Sequence, residues 1–424
     1  MADKVRVIII GGGAAGLFAA ITAAEKLGAA GEVTVYEATA HPLAKVRVSG
    51  GGRCNVTHAC FEPRELVKFY PRGGRELLGA FHRWQPRDTV AWFAARGVET
   101  KTEADGRMFP VTDDSATIAE CLLRAAEAAG VRLVTSLGVR KVERIALKAP
   151  GGSAFWVTLT DGSEVRCERL LIATGGNRSS AGFTIAEALG HTIEPLVPSL
   201  FTFHIDDARL IGLSGVSLEE AVVSVPGTKL RTSGPLLITH WGLSGPAILK
   251  LSAWGARELA ARNYEFPLTV NFAPPHTRET LTQELMQVRE KNPRKQLTTW
   301  SPLPMPQRLW ERLVTSTGIA ASAPWTTVGN AALTTLATQV TGAAFQVVGK
   351  SLFKEEFVTC GGVKLSEVDF RRMESRVCPG LFFAGEVLDI DGVTGGFNFQ
   401  AAWTTGALAG EAMGERTGEV TSDK

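Results

Sequence analysis

The chain has 424 residues, more than one ordinary core organises, so two or three domains are expected. Hydrophobic residues make up 45% and charged residues 21%, a globular composition that excludes a disordered chain. The net charge is +2 and no Lys/Arg stripe is present, so nucleic acid is not an expected partner.

The first element is "KVRVIII", nearly all apolar and β-branched, as in a strand buried on both faces of a parallel sheet. "GGGAAGLFAAITAAEKLG" follows as a helix with Gly28 as its stop, and "EVTVYE" is a second strand. Arg6 and the glycine cluster interrupt the apolar run too early for a secretory leader. No later stretch offers about 18 apolar residues free of charge, so no membrane span is expected. The cysteines at 54, 60, 121, 167, 360 and 378 form no C-x-x-C, which suits a cytoplasmic protein with reduced thiols. Cys54, His58 and Cys60 lack a fourth ligand at a usual spacing, and no metal is expected.

From 116 to 176 the pattern gives an amphipathic helix, "SATIAECLLRAAEAAG", then two short strands, then a hairpin turning at Asp161-Gly162. The hairpin runs into a buried strand, "RLLIATGG". The character changes near 193, where short strands separated by Pro and Gly suggest a β-rich module. Between 275 and 343 the chain turns helical, with Trp, Pro and Gln in a polar, surface-like composition. "FVTCGGV", "GLFFAGEVLDI" and a terminal helix, "NFQAAWTTGALAGEAM", finish it. The expected division is 1–192 and 344–424 as one domain, 193–274 as a β-rich insert and 275–343 as a helical insert.

Gly11-x-Gly13-x-x-Gly16 stands between a strand and a helix. There the glycines allow a tight turn, close approach of a pyrophosphate and close helix–strand packing. The helix N-terminus, with Ala14 and Ala15, offers free N–H groups to phosphate. Glu37 ends the second strand about twenty residues on, where an acid takes ribose hydroxyls. An acid rather than an Arg argues against a 2′-phosphorylated nucleotide. The fingerprint fits NAD or FAD. Ala173, Thr174, Gly175 and Gly176 form a second glycine turn of the kind large flavoproteins use. The C-terminal strand, acid pair, glycine turn and helix could present N–H groups to a flavin N1/O2 edge.

"SGGGRCN", "GGGAAG", "LSGPAIL", "VTCGGV" and "GLFFAGEVLDIDGVTGGFNFQAA" together resemble the bacterial FAD-dependent flavoprotein family that includes aminoacetone oxidase and the BaiN-like bile-acid pathway reductase. The resemblance runs from residue 5 to about 410. It implies a Rossmann-like α/β fold with two dinucleotide-binding motifs, an inserted β-barrel-like domain and a small helical domain. It makes Gly11, Gly13, Ala15, Gly16 and Glu37 contacts of FAD, and matches Lys45, Asn55, Gly385, Glu386, Gly396, Phe397 and Asn398. Leu43-Ala44 and His58 depart from the family pattern, as does the tryptophan-rich insert. These departures bear on the substrate.

"SGGGRCN" would lie where the chain passes from the ribose to the isoalloxazine ring. Gly51 and Gly52 would rest against the pyrophosphate–ribityl arm. Arg53, Cys54 and Asn55 would reach the ring, with Arg53 and Asn55 as candidate catalytic groups; Cys54 could equally fill space. Ala14 and Val139 complete the candidate cofactor set. The expected activity is hydride exchange between flavin N5 and a small organic substrate: an amine, ketone or enone. Oxygen would reoxidise the flavin, or NAD(P)H would reduce it without a second GxGxxG domain. The rivals are a flavin-dependent RNA-modifying enzyme, which the near-neutral charge disfavours, and a flavin-holding redox sensor without turnover.

Overall fold

The computed structural model describes residues 4–146, 153–177, 179–350 and 358–415, which divide into two compact units, 1–196 with 358–424, and 197–357.

The first unit is built on a seven-stranded sheet. Five adjacent strands run parallel in the order Leu381–Phe383, Arg169–Ile172, Val5–Ile10, Gly31–Tyr36 and Arg132–Val134, the last forming one edge. The apolar run expected of a central strand is there: Val7 to Ile10 are all buried. Val5–Ile10 has a neighbour on each side, with Ile10 opposite both Ile172 and Tyr36. The strand order therefore reverses direction at this point, and in open α/β sheets the crevice at such a switch is where ligands bind. Helix Ala14–Leu27 leaves from this point and ends at Gly28. The hairpin Ser153–Leu159/Glu164–Cys167 turns through a three-residue loop, 160–162, rather than through Asp161-Gly162 alone, because Leu159 N–H bonds the Ser163 carbonyl. A small three-stranded sheet joins Thr57–His58, Arg107–Pro110 and Thr100–Thr102.

The last helix, Phe397–Gly414, is buried almost all round. It packs on Ala14–Leu27 through Gly406, Gly410 and Gly414. A Cβ at Gly406 would stand 2.7 Å from Ala15 O, and one at Gly410 2.6 Å from Ala19 O. Glycines four apart lie on one helix face, so bare backbone lets the two helices meet.

The second unit is a seven-stranded sheet whose pairings are antiparallel, with Ala343–Val347 at one edge and Gly349–Lys350 at the other. Those two edges are separated in sequence by Val348 alone, so the sheet curls back on itself as a barrel does. Both strands belong to this unit rather than to the returning segment. The helices Arg278–Lys291, Gln307–Ser316 and Asn330–Thr341 share one apolar core with the sheet. The surface-like expectation for this stretch is overturned by Trp310 and Trp325, both fully buried.

Candidate functional site

The glycine turn after Val5–Ile10 has two different reasons for lacking side chains. Gly11 has φ +108°, and a Cβ on it would lie 2.5 Å from Ala173 O; a Cβ on Gly16 would lie 2.0 Å from Gly11 O. These two serve packing. A Cβ on Gly13 would meet nothing within 4 Å, although Gly13 caps the helix and no side chain caps it in return. Space is kept open over the N–H groups of Ala14, Ala15 and Gly16, which is the arrangement an anion needs. Glu37 lies alongside, its Oε2 accepting from Gly12 N at 2.8 Å and its Oε1 from Thr39 N at 2.9 Å. Oε1 also accepts from Thr39 Oγ1 at 2.8 Å, so of a carboxylate's about four acceptor positions one remains for a ribose hydroxyl. Ala173 sits against Gly11, and Thr174 Oγ1 is buried with no hydrogen-bond partner among the described residues. Val139 is buried at the start of the strand Val139–Ala146, and the preceding Leu137 N bonds Glu37 O at 3.0 Å.

The run 49–55 is not a plain turn. Helix Ala44–Gly52 loses helical geometry at Ser49, and Gly50, Gly51 and Gly52 follow with φ of +59°, +71° and +86°. Left-handed residues in succession are open to glycine and strained for others. Gly50 is also pressed by Phe109, 3.0 Å from where its Cβ would be, whereas Gly51 and Gly52 face open space. Cys54 takes φ +61° itself and is fully buried.

The three side chains that close this run go in different directions. Arg53 Nη1 bonds Glu103 Oε1 at 2.7 Å and lies 3.5 Å from Asp113, with its guanidinium 3.9 Å over the Phe109 ring. Arg107 and Lys101 complete the cluster on Glu103, Asp105 and Asp113, so its charges balance. The hydrogen bond to Glu103 raises the Arg53 pKa further. Its charge is thus spent on protein carboxylates in this structure. Burial pushes the Cys54 thiol up to about 12, against a weaker opposing bond from Ser49, so it is no nucleophile near neutrality. Asn55, with its amide oriented to satisfy both ends, donates to Thr57 O at 3.0 Å and accepts from Gly396 N at 2.9 Å. It ties the glycine run to the C-terminal turn.

That turn is densely braced. Gly385 N donates to Thr405 Oγ1 at 2.9 Å, and a Cβ there would press on Ala15. Lys45 Nζ pairs with Glu386 Oε2, and Glu386 Oε2 lies 3.9 Å from where a Gly175 Cβ would be; a Cβ on Gly176 would press on Thr359 at 2.9 Å. Asn398 grips Gly392 from both sides, accepting its N–H at 2.8 Å and donating to its carbonyl at 3.0 Å. Gly396 starts the last helix with φ +92°, and a Cβ there would stand 2.5 Å from Thr57 O. The structure therefore gathers Gly11–Gly16, Glu37, Lys45, Gly50–Asn55, Ala173–Gly176, Gly385, Glu386 and Gly396–Asn398 around one region, with the Arg53 guanidinium turned toward the small sheet.

Several residues of this region escape sequence reasoning. Asp391, fully buried, is held by Arg72, and Tyr70 OH donates to Phe397 O at 2.6 Å. Thr57 Oγ1 donates to Gln400 Oε1 at 2.6 Å. The partners lie more than three hundred residues apart, beyond any local pattern. The acid pair was visible as a motif; Asp389 turns out to accept from the backbone Gly361 N at 3.0 Å, whereas Asp391 pairs with the Arg72 guanidinium.

The model of the HI0933-like protein Rossmann domain matches residues 5–412. Among curated proteins the chain is similar to the 3-dehydro-bile acid delta(4,6)-reductase of Clostridium scindens, 30% identical over 97% of this chain and 99% of that protein. It is also similar to the ribosomal RNA dihydrouridine synthase of Escherichia coli, 32% identical over 95% and 96%. Among solved structures, a 3-ketosteroid-delta4-(5alpha)-dehydrogenase from Rhodococcus jostii covers 98% of both chains with a TM-score of 0.50 at 14% identity, a likeness of fold.

Proposed function

The chain belongs to the HI0933-like Rossmann-domain family, and on that footing we propose that it is an FAD-dependent oxidoreductase acting on a carbon–carbon double bond conjugated to a carbonyl. The observation that carries the flavin reading is the open cradle at Gly13, at the N-terminus of the helix that follows it. FAD, when bound, supplies hydride transfer at its N5. The chain's own residues would hold it. The Gly11–Gly16 turn and the following helix N-terminus would take the pyrophosphate and Glu37 the ribose. Gly51 and Gly52 leave backbone free to lie along the ribityl arm. Gly396, at the N-terminus of the last helix, would offer the positive end of a helix dipole to the electron-rich edge of the ring, which would favour negative charge there.

The substrate class is supported by what the relatives' names share. Reduction of Δ4,6 bonds in a 3-oxo bile acid, and of uridine to dihydrouridine, each saturate a double bond conjugated to a carbonyl. The β-carbon takes the hydride and a proton must reach the α-carbon. The electrons would come from NAD(P)H docking without a Rossmann domain of its own. A small organic enone is the leading substrate. A uridine in RNA is the second reading, favoured by the Escherichia coli relative and opposed by a net charge of only +2.

Anaerobic titration of the yellow protein tests this. NADH or NADPH should bleach the flavin, and a cyclic enone should restore the oxidised spectrum with formation of the saturated ketone. Restoration only by uridine-containing RNA, with salt-dependent binding, would establish the second reading. Reoxidation by neither would contradict the substrate class.

A further inference from the structure

His191 follows the helix Ala181–Ala188, and its side chain is fully buried. Both of its ring nitrogens are engaged. Nδ1 lies 3.1 Å from Glu367 Oε2, which also accepts the Thr192 N–H at 2.9 Å. Burial works against the Glu367 charge, yet the bonds from Thr192 and from the ring hold its pKa below the ordinary carboxylate value. A carboxylate only accepts, so Nδ1 carries the hydrogen. Nε2 lies 2.7 Å from Ser375 Oγ, and that oxygen already accepts the N–H groups of Val377 at 3.0 Å and Cys378 at 2.7 Å. Both of its lone pairs are taken, so Ser375 gives its own hydrogen to Nε2. The neutral ring, in this one tautomer, satisfies Glu367 and Ser375 together.

A proton on Nε2 breaks this arrangement. Three donors would then point at the two lone pairs of Ser375 Oγ, so either the ring or a backbone N–H must let go. Burial lowers the His191 pKa, outweighing the attraction of Glu367. The other titratable groups on the surrounding elements are accounted for. Glu374 is held by Arg372 and the Gly380 N–H, and Arg376 by Val368 O and Asp369. Burial keeps the Cys378 thiol neutral against a weaker pull from Arg144. Glu187 and Lys364 are exposed, and Glu194 half-exposed. Ser375 and Cys378 sit at the turn of the hairpin that pairs Glu374–Ser375 with Leu381–Phe383, and the His191 ring stands edge-on to Phe383 at 4.7 Å. Leu381–Phe383 is the parallel strand that leads into Gly385 and Glu386 of the candidate site. We propose that Glu367, His191 and Ser375 form an acid-sensitive latch on this strand, closed while His191 is neutral and released when it gains a proton. His191 takes up its proton more readily in the released form. The latch therefore holds above the ordinary histidine value of 6.5 and weakens as pH falls below it, loosening the Gly385–Glu386 side of the site.

Hydrogen–deuterium exchange of the full chain between about pH 7.5 and pH 5, corrected for the intrinsic exchange rate at each pH, tests the latch. In the wild type the amides of 365–386 should lose protection several-fold as pH falls, by no more than about tenfold per pH unit, the limit for one proton. The strand Gly31–Tyr36 should keep its protection over the same range. His191→Gln retains a donor for Glu367 and an acceptor for Ser375 but does not titrate, so its 365–386 amides should hold constant protection. Unchanged protection of 365–386 in the wild type overturns the proposal, and that comparison stands even if the variant fails to fold. A loss of the same size in His191→Gln also overturns it, by placing the titrating group elsewhere. So does a wild-type loss shared equally by Gly31–Tyr36, which would be acid unfolding of the whole unit.

Discussion

Arg53 and Cys54 stand next to each other, yet the fold gives them opposite fates. Arg53 is one-third exposed and joins a balanced charge cluster, so its ion pair with Glu103 contributes modestly. Arg53→Ala and Glu103→Gln should each lower stability slightly, and the double variant should lose less than the sum of the two in urea unfolding. Strict additivity would mean that the pair does not hold the loop. Cys54 and Cys167 are both buried thiols pushed up to about 12 by desolvation. A thiol whose folded pKa is raised stabilises fully below its unfolded pKa, near 9, and loses that contribution as pH rises toward 12. The fall should steepen by about 1.4 kcal/mol per pH unit per thiol. Thermal midpoints at pH 8 and pH 10.5 should therefore converge more for Cys167→Ala than for the wild type; an unchanged difference would contradict the assignment. The glycine run was legible in sequence because glycine alone adopts these angles freely. The aim of Arg53 was not, because Glu103 and Asp113 lie 50 and 60 residues away.

At the scale of elements, the last helix shows how a local rule yields to packing. Glycine in a helix interior costs about 1 kcal/mol relative to alanine, so Gly410→Ala should stabilise an isolated helix. Here the new Cβ would lie 2.6 Å from both Ala19 O and Thr22 Cβ. Backbone on a packed neighbouring helix cannot give way cheaply, and the variant should lose about 1–2 kcal/mol of unfolding free energy in urea. A stabilised variant would show that the two helices are not in close contact. The sequence pattern identified a terminal helix here. It could not reveal that the glycines face Ala14–Leu27, since that contact spans the chain. The insert is the converse case. In Gln307–Ser316 the buried residues are Leu309, Trp310, Leu313 and Val314, an amphipathic spacing that was present in the sequence. The abundance of Gln and Pro around it drew the reading toward a surface.

At the scale of the molecule, the order of glycine motifs along the chain was enough to infer a parallel sheet split by an insert. What brings those motifs together is topology: Val5–Ile10 and Arg169–Ile172 are neighbours, so two turns more than 150 residues apart, Gly11 and Ala173, touch at the switch point. The extent of the insert was less legible, because Ala343–Val347 and Gly349–Lys350 are short strands whose partners lie far back in the chain. The central claim is that the switch point is a dinucleotide cradle whose emptiness of side chains at Gly13 serves a ligand and not the fold. Gly16 provides the contrast, since Gly16→Val would place a Cβ 2.0 Å from Gly11 O and should prevent folding. The most direct measurement is chromatography of the flavin released on denaturing the purified wild type and Gly13→Val, each first shown to be folded by circular dichroism. The wild type should release one FAD per chain, and Gly13→Val should be folded, colourless and unable to take up added FAD. Release of FMN, a folded wild type that ignores FAD, or a Gly13→Val protein that retains it would contradict the account.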